Sequence, residues 1–170
     1  LLKENGKALL LYPFENYFGG NLEVVREMLQ DEHTICGLGD AGAHVATICD
    51  VSYPTFLLTH WGRDRKRGNG LPLEHLVSKQ TLKTARAFGL YDRGILAPGY
   101  RADINMVDFA TLSVTRPELV YDLPAGGRRF IQRAIGYEHT FVGGVEVLHQ
   151  GEHTGALPGE LIRGSQRSPV

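Results

Sequence analysis

The chain has 170 residues, of which 42% are hydrophobic and 22% charged, the balance of an ordinary globular domain. That apolar content excludes intrinsic disorder. A net charge of -1, from 18 Lys and Arg against 19 Asp and Glu, excludes a general nucleic-acid or anionic-membrane binder, which needs an excess basic field.

Glycine is abundant, 21 residues in 170, and points to many turns and a substantial β content. No apolar run approaches the ~18 residues of a membrane span. No basic-then-apolar leader pattern opens the sequence. Two cysteines, Cys36 and Cys49, are too few for a disulfide scaffold, so a reduced, cytoplasmic setting is expected. The opening Leu1-Leu2-Lys3-Glu4-Asn5-Gly6 reads as the last turn of a helix closed by glycine, so the chain is expected to be a fragment.

In chain order, the apolar run over 8–12 predicts a buried strand. Asn21 is a good N-cap, and Leu22, Val25, Met28 and Leu29 recur at helical spacing, predicting an amphipathic helix over 22–30. A second short strand is expected over 34–38, followed by the small-residue loop Gly39-Asp40-Ala41-Gly42-Ala43-His44. Residues 51–61 have mixed helical character, and 63–70 read as a charged loop. Pro72 suits a first helical turn, and Leu73, Leu76, Val77, Leu82, Ala85 and Phe88 predict one helix up to Gly89. Beyond it, 102–107 predicts a strand, 116–129 a long loop, and 130–137 and 139–142 further strands. Gly143-Gly144 between two apolar runs predicts a tight hairpin over 141–147. A boundary is placed near residue 90, with an α/β part over 1–90 and a β part over 91–170.

Asp40 stands where the strand over 34–38 becomes a loop. In a parallel α/β barrel that is the active-site face, so Asp40 is a candidate metal ligand or general base; its alternative is a helix N-cap. His44, four residues on, is a candidate for the same cavity. Arg63, beside the sole tryptophan, Trp61, is a candidate for bidentate pairing with a substrate carboxylate, or else a member of an internal ion pair. The other histidines, His33, His60, His75, His139, His149 and His153, are expected at surface, hairpin or helix-capping positions. Cys36 reads as a small buried hydrophobe. Arg128, Arg129 and Arg133 read as a solvated strand edge.

The run Gly37 to His44 resembles the Asp-x-x-x-His loop after the eighth barrel strand of the amidohydrolase superfamily. The stretch 81–108, with Gly94-Ile95-Leu96-Ala97-Pro98-Gly99-Tyr100-Arg101-Ala102-Asp103 at its centre, resembles that superfamily's C-terminal signature. The stretches 55–65 and 151–164 resemble its N-acyl-D-amino-acid deacylase branch. The resemblance implies an α/β fold: the C-terminal end of a TIM-type (β/α)8 barrel, then strands of a small β-sandwich. It implies hydrolysis of the amide bond of N-acyl-D-amino acids to a carboxylate and a D-amino acid, with zinc as the cofactor of the full-length enzyme. Asp40 matches the aspartate that takes the proton of the metal-bound water and serves as a metal-site residue; His44 matches a position near substrate. The metal-binding H-x-H pair is absent, as no two histidines here have that spacing. The chain alone is therefore expected to be inactive and to hold no zinc at a catalytic site. The remaining partners are expected to be the small-molecule substrate and the missing N-terminal part or a second chain, with no nucleic acid and no membrane. The alternatives are another amidohydrolase, such as a hydantoinase-like cyclic amidase, and a non-catalytic β-rich assembly module.

Overall fold

A computed structural model describes residues 15–37, 39–42 and 45–169. The strand expected over 8–12 and the histidine at 44 lie outside the described residues. The chain divides into two compact units, one up to Thr34 and one from Ile35 onward.

In the first unit, helix α1 (Glu23–Gln30) forms where periodicity places it. It starts one turn position late, with Leu22 in the cap, yet the Asn21 side chain still accepts the Glu23 N–H at 3.0 Å. Asp31 leaves the helix in extended geometry after its N–H bonds the Glu27 carbonyl. The Thr34 hydroxyl closes the end by donating to the Met28 and Asp31 carbonyls.

In the second unit, residues 35–37 form no strand, in contrast to the expected strand over 34–38. Helix α2 (Tyr53–Phe56) carries Pro54 in its first turn and runs directly into a π-helical segment, Leu57–Asp64. The wider π turn is closed by the Arg65 N–H bonding the His60 carbonyl five residues back, at 2.9 Å. The predicted helix ending at Gly89 is two helices, α3 (Leu73–Gln80) and α4 (Leu82–Ala87), broken at Thr81. Gly94 sits against the break. A Cβ there would lie 2.9 Å from the Leu82 Cα, so the 92–95 turn packs against opened helix backbone.

The core lies among these helices: Leu57, Trp61, Leu71, Leu76, Ala85 and Leu112 are buried, and Lys79 is buried with them. Each such leucine contributes about 1.5–3 kcal/mol relative to exposure. The Leu71 N–H bonds the Trp61 carbonyl at 2.8 Å. The same carbonyl would meet a Cβ at Gly70 at 2.6 Å, so the chain's return past the π segment needs glycine.

The strands are β1 (Ile104–Val107), β2 (Ser113–Val114), β3 (Glu118–Leu123), β4 (Gly127–Ile131), β5 (Ala134–Ile135), β6 (Tyr137–Val142), β7 (Val145–His149) and β8 (Glu152–His153). They form an antiparallel sheet in the order β1-β6-β7-β8 and two antiparallel ribbons, β2-β5 and β3-β4. The Gly143-Gly144 hairpin forms as expected, with both glycines at positive φ, 57° and 81°. The loop expected over 116–129 is instead largely the β3-β4 ribbon, turned by Pro124, Ala125 and Gly126. Mixed helix and strand content agrees with the α/β expectation. Among the described residues the ladders are all antiparallel, and the one parallel pairing is the isolated bridge Leu90–Gln166.

Helices and strands interlock on either side of residue 90. Thr55 and the Tyr137 hydroxyl share a 2.8 Å hydrogen bond, and the Phe130 N–H bonds the Val45 carbonyl at 2.7 Å. The Gln132 side chain bridges Ser52 to the Thr115 carbonyl.

Candidate active-site loop

The loop carrying Asp40 folds around a carboxylate ten residues further on. Asp50 Oδ2 accepts the Asp40 N–H at 2.9 Å, and its Oδ1 accepts the Ala41 N–H at 2.8 Å. Successive backbone N–H groups turned toward one anion form a nest. Gly39 completes it: a Cβ there would lie 2.6 Å from Asp50 Oδ1. Gly42, at φ 102°, turns the chain away. The side chain of Asp40 is exposed and makes no hydrogen bond among the described residues. Its backbone is thus fixed while its carboxylate is left available to a proton, a metal or a substrate.

Arg63 leaves the π-helical segment near its end and points toward the 109–112 turn. It presents five N–H donors, and each finds an acceptor. Nε and Nη2 form a fork on Asp64 at 2.7 and 2.9 Å. Nη2 also reaches the Leu112 carbonyl at 2.7 Å, and Nη1 donates to the Phe109 and Ala110 carbonyls. The guanidinium lies over the Phe109 ring, 5.4 Å from its centroid. The Arg63 hydrogen bonds hold the Asp64 carboxyl below the usual carboxylate range.

His60 stacks on Phe56 at 4.9 Å and meets the edge of Trp61 at 5.0 Å. Burial, then the charge of Arg65, pushes its pKa down, so it favours the neutral ring. Arg65 in turn covers the Trp61 face at 4.2 Å. Burial pushes the Cys36 thiol up, opposed by the charge of Lys79; burial, reinforced by Asp50, does the same to Cys49. Neither cysteine is thereby an activated thiolate.

Of the residues singled out from sequence, Asp40 and Arg63 are described and His44 is not. Asp50 was missed, since a carboxylate gathering backbone N–H groups nine and ten positions away leaves no local spacing to find.

A family model described as "Amidohydrolase family" matches residues 14–148. Among curated proteins, the chain is 32% identical over 151 residues to an N-acyl-D-glutamate deacylase of Alcaligenes xylosoxydans xylosoxydans, covering 86% of this chain and 28% of that protein. It is 36% identical over 107 residues to a D-aminoacylase of the same organism, covering 62% of this chain and 19% of that protein. A shorter match, 47% over 49 residues, is to an adenine deaminase of Sinorhizobium fredii, covering 29% of this chain and 8% of that protein. A crystal structure of D-aminoacylase, said to define a novel subset of amidohydrolases, aligns at 32% identity with a TM-score of 0.46, over 61% of this chain and 19% of that one. The chain therefore spans less than a third of the length of these curated relatives. With the family model matched over most of its length, the chain belongs to the amidohydrolase family.

Proposed function

We propose that this chain is the C-terminal part of a metal-dependent hydrolase that cleaves the amide bond of N-acyl-D-amino acids. The observation that carries the reading is the 32% identity to an N-acyl-D-glutamate deacylase along 86% of the chain. In this reading residues up to about 90 belong to the end of a (β/α)8 barrel, later strands to a small β-sandwich, and an N-terminal part or a second chain completes both. The protein works in the cytoplasm.

Asp40 has the properties of a general base: a carboxylate with no hydrogen-bond partner among the described residues, on backbone held by Asp50. It accepts the proton of the attacking water and returns it to the leaving amine, a contribution of about 10²–10⁴ in rate. The family metal, zinc in this reading, lowers the pKa of that water when bound. A catalytic zinc needs about three protein ligands, more than the Asp40 carboxylate alone supplies. The remaining ligands belong to the rest of the protein, and this chain alone is inactive. His44 lies beside substrate. Arg63 pairs with the substrate carboxylate by exchanging its Asp64 fork for it, an exchange between like partners.

The test is amine release by the whole protein that carries this chain, on N-acyl-D-glutamate and N-acetyl-D-amino acids, with cyclic amides and adenine as competing substrates. Turnover of the N-acyl-D-amino acids, lost by a factor of at least 100 in Asp40→Asn with the fold intact, is the expected result. The adenine deaminase match supports a second reading, deamination of a purine, and ammonia release from adenine alone would establish it instead. Turnover of cyclic amides alone, or of no substrate in a folded, metal-loaded protein, overturns the deacylase reading.

A further inference from the structure

Three side chains with metal-ligating atoms converge on one face of the β6-β7 pair. His139 on β6 lies directly opposite His149 on β7. Strand alternation would put Glu146 and His149, three positions apart, on opposite faces. The register shows why they share one. Thr140 pairs with Leu148, but the next residue, Phe141, pairs with Glu146, so Val147 is an extra residue in the strand. Such a bulge inverts the alternation beyond it and re-aims side chains. Glu146 is thereby returned to the face of the two histidines.

The resulting geometry is close. Glu146 Oε1 lies 2.6 Å from His139 Nδ1 and 3.0 Å from His149 Nδ1. The two imidazole rings meet edge-on with centroids 4.8 Å apart. One ligand atom from each of the three residues can be chosen so that all lie within 4.8 Å of one another. His139 is steadied by the Phe141 ring at 6.0 Å. The Thr154 hydroxyl donates to the Glu146 carbonyl at 2.8 Å and anchors the backbone there.

We propose that His139, Glu146 and His149 bind a divalent first-row transition metal ion of zinc type, which staples β6 to β7. Two imidazole nitrogens and one carboxylate oxygen are a donor set for zinc, cobalt, nickel or copper; calcium and magnesium prefer all-oxygen sites. Ligand atoms at 2.0–2.1 Å around a tetrahedral ion are about 3.3 Å apart. The present separations reach that by small side-chain rotations. Glu146 is placed for the role, because its Oε1 already lies within hydrogen-bond reach of both imidazoles. Its Oε2 accepts no hydrogen bond among the described residues, and half-exposed His149 leaves a water position open.

The experiment is titration of the chelator-treated protein with zinc chloride and with cobalt(II) chloride, followed by calorimetry, cobalt visible absorption and NMR of the imidazole ring protons. One saturable equivalent is expected that shifts the His139 and His149 ring signals and raises the Tm. Glu146→Gln and His149→Gln should each weaken it at least tenfold; His153→Gln should leave it unchanged. Because His149 is half exposed, its variant is expected to keep the fold, which circular dichroism checks. Ring signals of His139 and His149 unmoved by millimolar zinc, or binding of undiminished affinity in both Glu146→Gln and His149→Gln, would overturn the site.

Discussion

Asp50 binds the backbone of Asp40, not its side chain: the Asp50 carboxylate takes the N–H groups of Asp40 and Ala41 at 2.9 and 2.8 Å. The backbone of the candidate catalytic carboxylate is thus positioned by a second carboxylate, and among the described residues no cation pairs with its side chain. In Asp50→Ala both N–H groups lose their acceptor. A hydrogen bond to a charged group contributes about 1.5–3 kcal/mol, so urea denaturation should show a loss of at least that size. In the whole enzyme kcat should fall with little change in KM, since Asp40 remains present but is misplaced. Asp50→Glu should recover part of the stability. Equal kcat in Asp50→Ala and the parent would show that the loop needs no such anchor.

Arg63 distributes five donors over Asp64 and three consecutive-turn carbonyls, which ties the π-helical segment to the 109–112 turn. Lysine has three donors and no planar fork. Arg63→Lys should therefore lower the Tm by roughly 2–4 °C in thermal denaturation. Asp64→Asn, which leaves the carbonyl contacts in place, should lower it less. A rise in KM for N-acyl-D-amino acids in Arg63→Lys at unchanged Tm would assign the residue to substrate alone.

Leu76 is 1% exposed and sits beside Gly62, whose added Cβ would come within 3.4 Å of its Cδ1. Leu76→Ala should cost about 2–5 kcal/mol by chemical denaturation, the usual range for a leucine cavity. A loss under 1 kcal/mol would mean that the helical layer relaxes to fill the space.

Acid should destabilise the protein in a narrow window. Hydrogen bonds from Arg63 hold the Asp64 carboxyl low, those from Arg93 do so for Asp92, and the Thr111 hydroxyl leads for Asp108. Carboxyls depressed in the folded state contribute stability that is fully present above their unfolded value, about 3.9, and is lost as pH falls through the folded values. Stability from these three groups should be flat from pH 7 to about 5 and decline below 4. The Asp92→Asn variant should show a shallower decline, measured by urea midpoints across that range.

Much of the secondary structure was legible where one residue pattern had one physical solution. Leu22, Val25 and Met28 mark α1, and the paired positive-φ glycines at 143 and 144 mark the β6-β7 hairpin. The break at Thr81 was not legible, because the chain packed against it, at Gly94, is thirteen residues away in sequence. The β3-β4 ribbon was hidden by Pro117, Pro124 and Gly126, which read as loop although two of them only build the turn. In the candidate active-site loop Asp40 stood out by its place after an apolar run, whereas Asp50 acts through backbone groups that carry no side-chain signature. His139, Glu146 and His149 were invisible as a group because their shared face depends on a single extra residue, Val147, in the ladder.

The pairing of Gln166 with the end of α4 has a mechanical consequence. Its N–H bonds the Gly89 carbonyl at 2.8 Å and its carbonyl takes the Tyr91 N–H at 3.1 Å, while Ser165 packs where Gly89 lacks a side chain. The eight strands of the described residues are thereby enclosed between two points of chain that are clasped together. Tension applied at Pro169 meets the Tyr100–Ser168 hydroxyl contact first and then this two-bond clasp, both of which lie between that end and β8. A pull on that end therefore meets these contacts at residues 89–100 before it meets the sheet.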